Sequence, residues 1–153
     1  MKLSGAMAMG TAACLLLVGC VSFRVAPSPA PEDLAAEICT CKKIDETGEL
    51  YQPVDITSQF TQDDKDVICF VRMKNIRKAA RLRWKWYAPD LSLFKETKDM
   101  IINAEEDILE TISAFDRITI PAEDKSDGQW VVAVFMDREL IARKAFSVRK
   151  QDH

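Results

Sequence analysis

Ala80-Arg81-Leu82-Arg83-Trp84-Lys85-Trp86-Tyr87 alternates strictly between apolar and cationic side chains. A strand turns successive side chains to opposite faces, so Leu82, Trp84 and Trp86 share one face and Arg81, Arg83 and Lys85 the other. The segment is therefore expected to be half-buried, with the tryptophans in a core and the cations toward solvent. On either side of it the same period recurs. Val67, Cys69 and Val71 alternate with Ile68 and Phe70, and Trp130 to Met136 is also apolar on both faces, as strands in the middle of a fold are. Phe146 and Val148 close the series. Turn-forming residues separate the runs at Glu46-Thr47-Gly48, Asp63-Asp64, Pro89-Asp90, Pro121 to Gly128 and Asp137-Arg138-Glu139. About seven short strands at this spacing predict an all-β fold, an immunoglobulin-like antiparallel β-sandwich over residues 34–150. Between Lys98 and Phe115 the pattern is mixed. Ile101, Ala104, Ile108 and Ile112 fit a helical stripe, so either an irregular stretch or one short helix is expected near 98–110, followed by a strand from about Ile112 to Ile120.

Upstream of this domain the composition changes. Residues 1–19 carry one positive charge, Lys2, then an uncharged run rich in Ala, Met, Gly and Leu, which is the layout of a secretory signal peptide. Its last residues with the following cysteine, Leu17-Val18-Gly19-Cys20, resemble the lipobox of bacterial lipoproteins. That resemblance implies cleavage before Cys20 and acylation of its thiol and amine. A single acyl chain holds a protein to a bilayer reversibly, whereas two or three hold it stably. Val21 follows rather than Asp, which in lipoproteins of enterobacterial type goes with the outer membrane, facing the periplasm, in preference to the inner one. Residues 20–33 then form a tether. Ala26-Pro27-Ser28-Pro29-Ala30-Pro31 favours extended polyproline geometry, and at ~3.1 Å per residue the stretch from Val21 to Glu32 spans about 30 to 40 Å.

A second resemblance lies in the domain itself. Trp84-Lys85-Trp86-Tyr87-Ala88-Pro89-Asp90, then Gly128-Gln129-Trp130-Val131-Val132-Ala133-Val134-Phe135-Met136-Asp137, then Phe146-Ser147-Val148, is similar to a pattern in uncharacterised bacterial envelope proteins with immunoglobulin-like domains. The likeness covers roughly residues 38–150 and implies a fold rather than an activity. In two places this chain departs from that pattern. Leu91 and Arg138 stand where glycines follow Pro89-Asp90 and Asp137, and since a Cβ resists positive φ, both turns are expected to be looser.

Composition bears on function mainly by exclusion. The chain has 153 residues, 48% hydrophobic and 29% charged, which suits one domain with a real core. With 21 Lys and Arg against 24 Asp and Glu, the net charge of −3 argues against a nucleic-acid partner. His153 is the single histidine and sits at the C-terminus, which weakens acid/base catalysis and zinc ligation alike. Paired acids at Asp63-Asp64 and Glu105-Glu106-Asp107 lack the spacing of a calcium loop. No catalytic residue, cofactor or metal is expected.

Two clusters carry whatever chemistry remains. Cys39, Cys41 and Cys69 follow the signal, and outside the cytoplasm a disulfide of Cys69 with Cys39 or Cys41 is expected; the alternative is a thiol or soft-metal carrier using all three. Arg72, Lys74, Arg77, Lys78, Arg81, Arg83 and Lys85 form a basic block, opposed by an acidic block from Asp90 to Asp127. Either the blocks pair with each other, or Arg81, Arg83 and Lys85 form a surface for an anionic headgroup or glycan. The reading is a non-enzymatic, lipid-anchored interaction or assembly module of the cell envelope, binding the bilayer through Cys20 and an envelope protein or anionic glycan through its domain. An uncharacterised hydrolase is a further alternative.

Overall fold

The computed structural model describes residues 34–104, 110–122 and 126–150; the signal, Cys20 and the proline tether lie outside the described residues. Among the described residues ten strands form two sheets. The first sheet has the order β2-β1-β4-β8, from β1 (Ala35–Asp45), β2 (Gln52–Ile56), β4 (Asp66–Ile76) and β8 (Glu110–Thr119). The second runs β3-β10-β9-β5-β6, from β3 (Gln59–Thr61), β10 (Glu139–Arg149), β9 (Gly128–Met136), β5 (Ala80–Tyr87) and β6 (Leu93–Glu96). β7 (Met100–Ile102) also pairs with β5. All pairings are antiparallel except β3 with β10. No helix among the described residues is long and apolar enough to cross a membrane.

The register of β5 follows its alternation. Leu82, Trp84 and Trp86 are buried between the sheets, while Arg81, Arg83 and Lys85 project from the other side. Val67, Cys69, Val71 and Met73 of β4 face them from the first sheet, with Trp130, Val132, Val134, Phe146 and Val148 completing the core. Three aromatics interlock there: Phe146 lies edge-on to Trp86 at 6.0 Å and stacks on Trp130 at 6.2 Å. Asp116 of β8 clasps the two sheets at their margin. Its carboxylate accepts the Trp86 indole N–H at 2.7 Å and Lys95 Nζ of β6 at 2.9 Å.

Three expectations are corrected. Instead of about seven strands the described residues form ten, because β2, β3 and β7 are edge pieces too short, or too interrupted by Pro53, to signal themselves by period. The helix expected near 98–110 is absent from its described part. Met100 to Ile102 instead satisfy the backbone of β5 from Ala80 to Leu82, which β6 does not reach; residues 105–109 lie outside the described residues. Finally, the two turns lacking glycine close tightly. Leu91 holds φ at 65° and its N–H donates to the Ala88 carbonyl at 2.8 Å. Asp137 and Arg138 hold φ at 49° and 77° between the paired Met136 and Glu139, the two-residue hairpin whose twist matches its strands. The side chains there tolerate a conformation that favours glycine.

Candidate functional site

The outward side of the second sheet carries a concavity of about 510 Å³ lined by Arg81, Arg83, Lys85, Asp99, Phe135, Asp137 and Arg138. Cross-strand pairing builds it. Arg83 stands opposite Phe135 and Lys85 opposite Ala133, so the cationic row of β5 runs beside an aromatic and a small residue on β9. At one end the β9–β10 turn is bolted to β5 by two hydrogen bonds. The Asp137 N–H donates to the Arg81 carbonyl at 2.9 Å, and the Arg81 N–H donates to Asp137 Oδ1 at 3.0 Å. On the other flank the strand pairing with β5 is interrupted between β6 and β7. Thr97 fills the break by donating its N–H to the Trp84 carbonyl and accepting the Trp84 N–H on its hydroxyl. This turns Glu96 and Asp99 toward the basic row.

Those two acids divide the row. Arg83 donates to Asp99 Oδ1 through Nε at 2.8 Å and to Glu96 Oε1 through Nη1 at 2.8 Å, and its Nη2 lies 2.7 Å from Asp99 Oδ1 in the same ion pair. Asp99 and Glu96 hold its guanidinium firmly protonated, and Arg83 in turn keeps the Glu96 carboxyl below the usual range. Lys85 shares Glu96 at 3.4 Å and sits 5.4 Å from the Phe135 ring centroid. Arg81 and Arg138, by contrast, have no ion pair among the described residues. The acidic block thus neutralises part of the basic row and leaves its turn-proximal end charged. Sequence alternation had placed Arg81, Arg83 and Lys85 together; it missed Arg138, Phe135 and Asp99. Phe135 belongs to a run apolar on both faces, and Arg138 to a turn with no period at all.

The expected disulfide does not form: Cys39, Cys41 and Cys69 are free thiols. Register is the reason. Cys69 pairs directly with Thr40, so the two share the inner face, whereas Cys39 and Cys41 pair with Phe70 and Ile68 on the outer one. Cys69 belongs to the main core beside Trp84, and Cys41 to a small outer cluster with Ile68 and Phe70. Tyr51 lies edge-on over Phe115 beside that cluster. A disulfide needs Cβ atoms about 3.5 to 4.5 Å apart on converging vectors, which residues on opposite faces of a strand pair cannot offer. A single metal ion held by all three thiols is ruled out on the same ground. Among the described residues no cluster of three metal-ligating side chains occurs.

Burial pushes all three thiols up, with Cys41 reaching about 11. At pH 8 Cys41 should present about hundredfold less thiolate than a thiol at the ordinary value of 9.0. Peptide mapping after alkylation of the native protein should accordingly find Cys69 unmodified and Cys41 slow, both becoming reactive in denaturant. Recovery of a Cys69 disulfide peptide without reduction would contradict the register.

No protein-family model matches the chain, and no curated protein matches it. Among solved structures it is similar to an immunoglobulin-like protein from Pseudomonas aeruginosa, at 15% identity and TM-score 0.46, covering 76% of this chain and 97% of that one. It is also similar to an alkylpurine DNA glycosylase from Pseudomonas fluorescens bound to DNA containing an abasic site analog, at 14% identity and TM-score 0.41. That likeness covers 60% of this chain and 27% of the glycosylase chain, so this protein spans about a quarter of the glycosylase's length. At these similarities neither likeness transfers an activity. From its own strand order, two packed sheets and a tryptophan core, the chain is an all-β protein with an immunoglobulin-like sandwich.

Proposed function

We propose that this protein is a lipid-anchored, non-enzymatic interaction module of the cell envelope, acylated at Cys20 and presenting the outer face of its second sheet to an anionic partner. The observation that carries this reading is the concavity along β5, where Arg81, Arg83 and Lys85 gather with Arg138 over Phe135. Such a surface attracts anions. It is poorly suited to hydrolysis, because its two lining carboxylates are already committed, Asp99 to Arg83 and Asp137 to the Arg81 backbone. A carrier of soft metals through three cysteines is set aside by their placement on two faces. The anchor half of the proposal rests on Leu17 to Cys20.

Intact mass spectrometry of the mature protein should find a chain that begins at Cys20 and carries added lipid. Cys20→Ser should move the protein from the membrane fraction to the soluble one, or leave it unprocessed. A mature N-terminus elsewhere, without lipid, would reject the anchor.

A further inference from the structure

Leu34, the first described residue, lies at the same end of the sandwich as the cations that have no ion pair among the described residues. Ala35, at the start of β1, pairs with Lys74 near the end of β4, and the chain passes from Ile76 through residues 77–79 directly into Ala80 of β5. Arg81 is next, locked by backbone hydrogen bonds to Asp137, with Arg138 at the tip of the adjoining turn. Leu34 and these two arginines therefore sit at one end of the molecule.

Apolar side chains flank the same cations. Ile101 of β7 pairs with Arg81 and so projects from the same outer face, 67% exposed. Across the sheet the order Arg83, Phe135, Leu140 is set by direct pairing from β5 through β9 to β10, and Leu140 is 52% exposed. Two exposed aliphatics thus stand on either side of a cationic centre with an aromatic in its floor. Soluble surfaces carry scattered aliphatics singly, but a set bracketing free arginines on one face matches what the interface of an anionic bilayer takes up: charge to the headgroups, apolar tips to the acyl boundary.

We infer that the tether end of the sandwich docks on the anionic lipid headgroups of the membrane in which Cys20 is anchored, through Arg81 and Arg138 with Ile101 and Leu140 as apolar flanks. This rests on the anchor proposed above. The dozen residues from Val21 to Glu32 are long enough to let the domain stand off, so docking is a second, separable contact. Arg138 adopts φ 77°, where glycine would be at ease, and docking supplies a reason for an arginine there.

The test uses the mature protein mixed with vesicles of phosphatidylcholine alone or with added phosphatidylglycerol, read by co-sedimentation and by hydrogen exchange of residues 99–103 and 136–141. Binding to neutral vesicles reports the anchor; extra protection on the anionic ones reports docking. The inference expects that extra protection, its loss at high salt, and about a thirtyfold smaller docked-to-free ratio when Arg81→Gln and Arg138→Gly are combined, from two headgroup contacts removed. Arg138→Gly relieves a strained φ, so the unfolding midpoint of that variant should not fall, which separates lost docking from lost folding. Equal protection on both vesicle types would overturn the inference while leaving the anchor intact. So would protection by inorganic phosphate without anionic lipid, which would assign the site to a soluble anion. Failure to bind neutral vesicles, with anionic vesicles still protecting both segments, would reject the anchor and keep the headgroup site.

Discussion

Trp86→Ala is expected to lower the free energy of unfolding by about 3 to 5 kcal/mol, a large share of the roughly 5 to 15 kcal/mol that holds a domain of this size. Trp86 is fully buried, its ring lies against Phe146, and its N–H is the hydrogen-bond link from β5 to Asp116 on the opposite sheet. Truncation opens a cavity between the sheets and removes one donor from a carboxylate that Lys95 still holds. Trp86→Phe separates the two losses. It keeps most of the buried ring and gives up the hydrogen bond, so a smaller cost of about 1 to 2 kcal/mol should remain. Urea titrations of the three proteins measure both numbers. A cost under about 1 kcal/mol for the alanine variant would mean that Trp86 does not lie between the sheets.

The second large effect sits where the turn after β5 meets the start of β9, a few residues beyond Trp86. Gly128 begins β9 with φ at +132°, a region that side-chain-bearing residues rarely enter, and a Cβ there would meet Pro89 Cβ at 2.9 Å and Cγ at 3.1 Å. Pro89 cannot swing away, because its ring is part of the β5–β6 turn closed by the Ala88–Leu91 and Ala88–Ser92 hydrogen bonds. Gly128→Ala should therefore cost about 2 to 4 kcal/mol, part from backbone strain and part from overpacking. Adding Pro89→Gly should recover the packing share and not the strain share, giving a double-mutant coupling of favourable sign. Thermal unfolding of the single and double variants decides it. If Gly128→Ala is neutral, the close approach of the two turns is wrong.

Both effects concern the frame; substitutions of the exposed side chains in the concavity on the outer face are expected to cost far less, so binding and stability can be measured apart. Arg83 and Lys85 share their acids at the surface, where exposed ion pairs contribute little to folding. Arg138 even holds an unfavourable backbone angle. Residues kept against local preference at the rim of a concavity are reasonable places to look for a ligand, and here the turn, the tether end and the exposed aliphatics coincide.

What the sequence by itself determined is whatever has a short period. Two-residue alternation assigned Trp84 and Trp86 to the core and Arg81, Arg83 and Lys85 to the opposite face of β5, and apolar character on both faces marked β4 and β9 as interior strands, because a strand's facing depends only on its own pleat. What only the tertiary structure decided is which strand lies beside which, and in what register. Cys69 falls opposite Thr40 rather than Cys39 or Cys41, and that single step of register separates thiols that spacing alone left free to pair. Ile101 reads as part of a helical stripe until the uncovered backbone of Ala80 to Leu82 draws it into a strand. Arg138 joins Arg81 only because the β9–β10 turn closes onto the start of β5. Pleat direction is a property of neighbouring residues, whereas register is set by hydrogen bonds and packing between segments distant along the chain, so the core and the basic row of β5 were legible and the residues that surround that row were not.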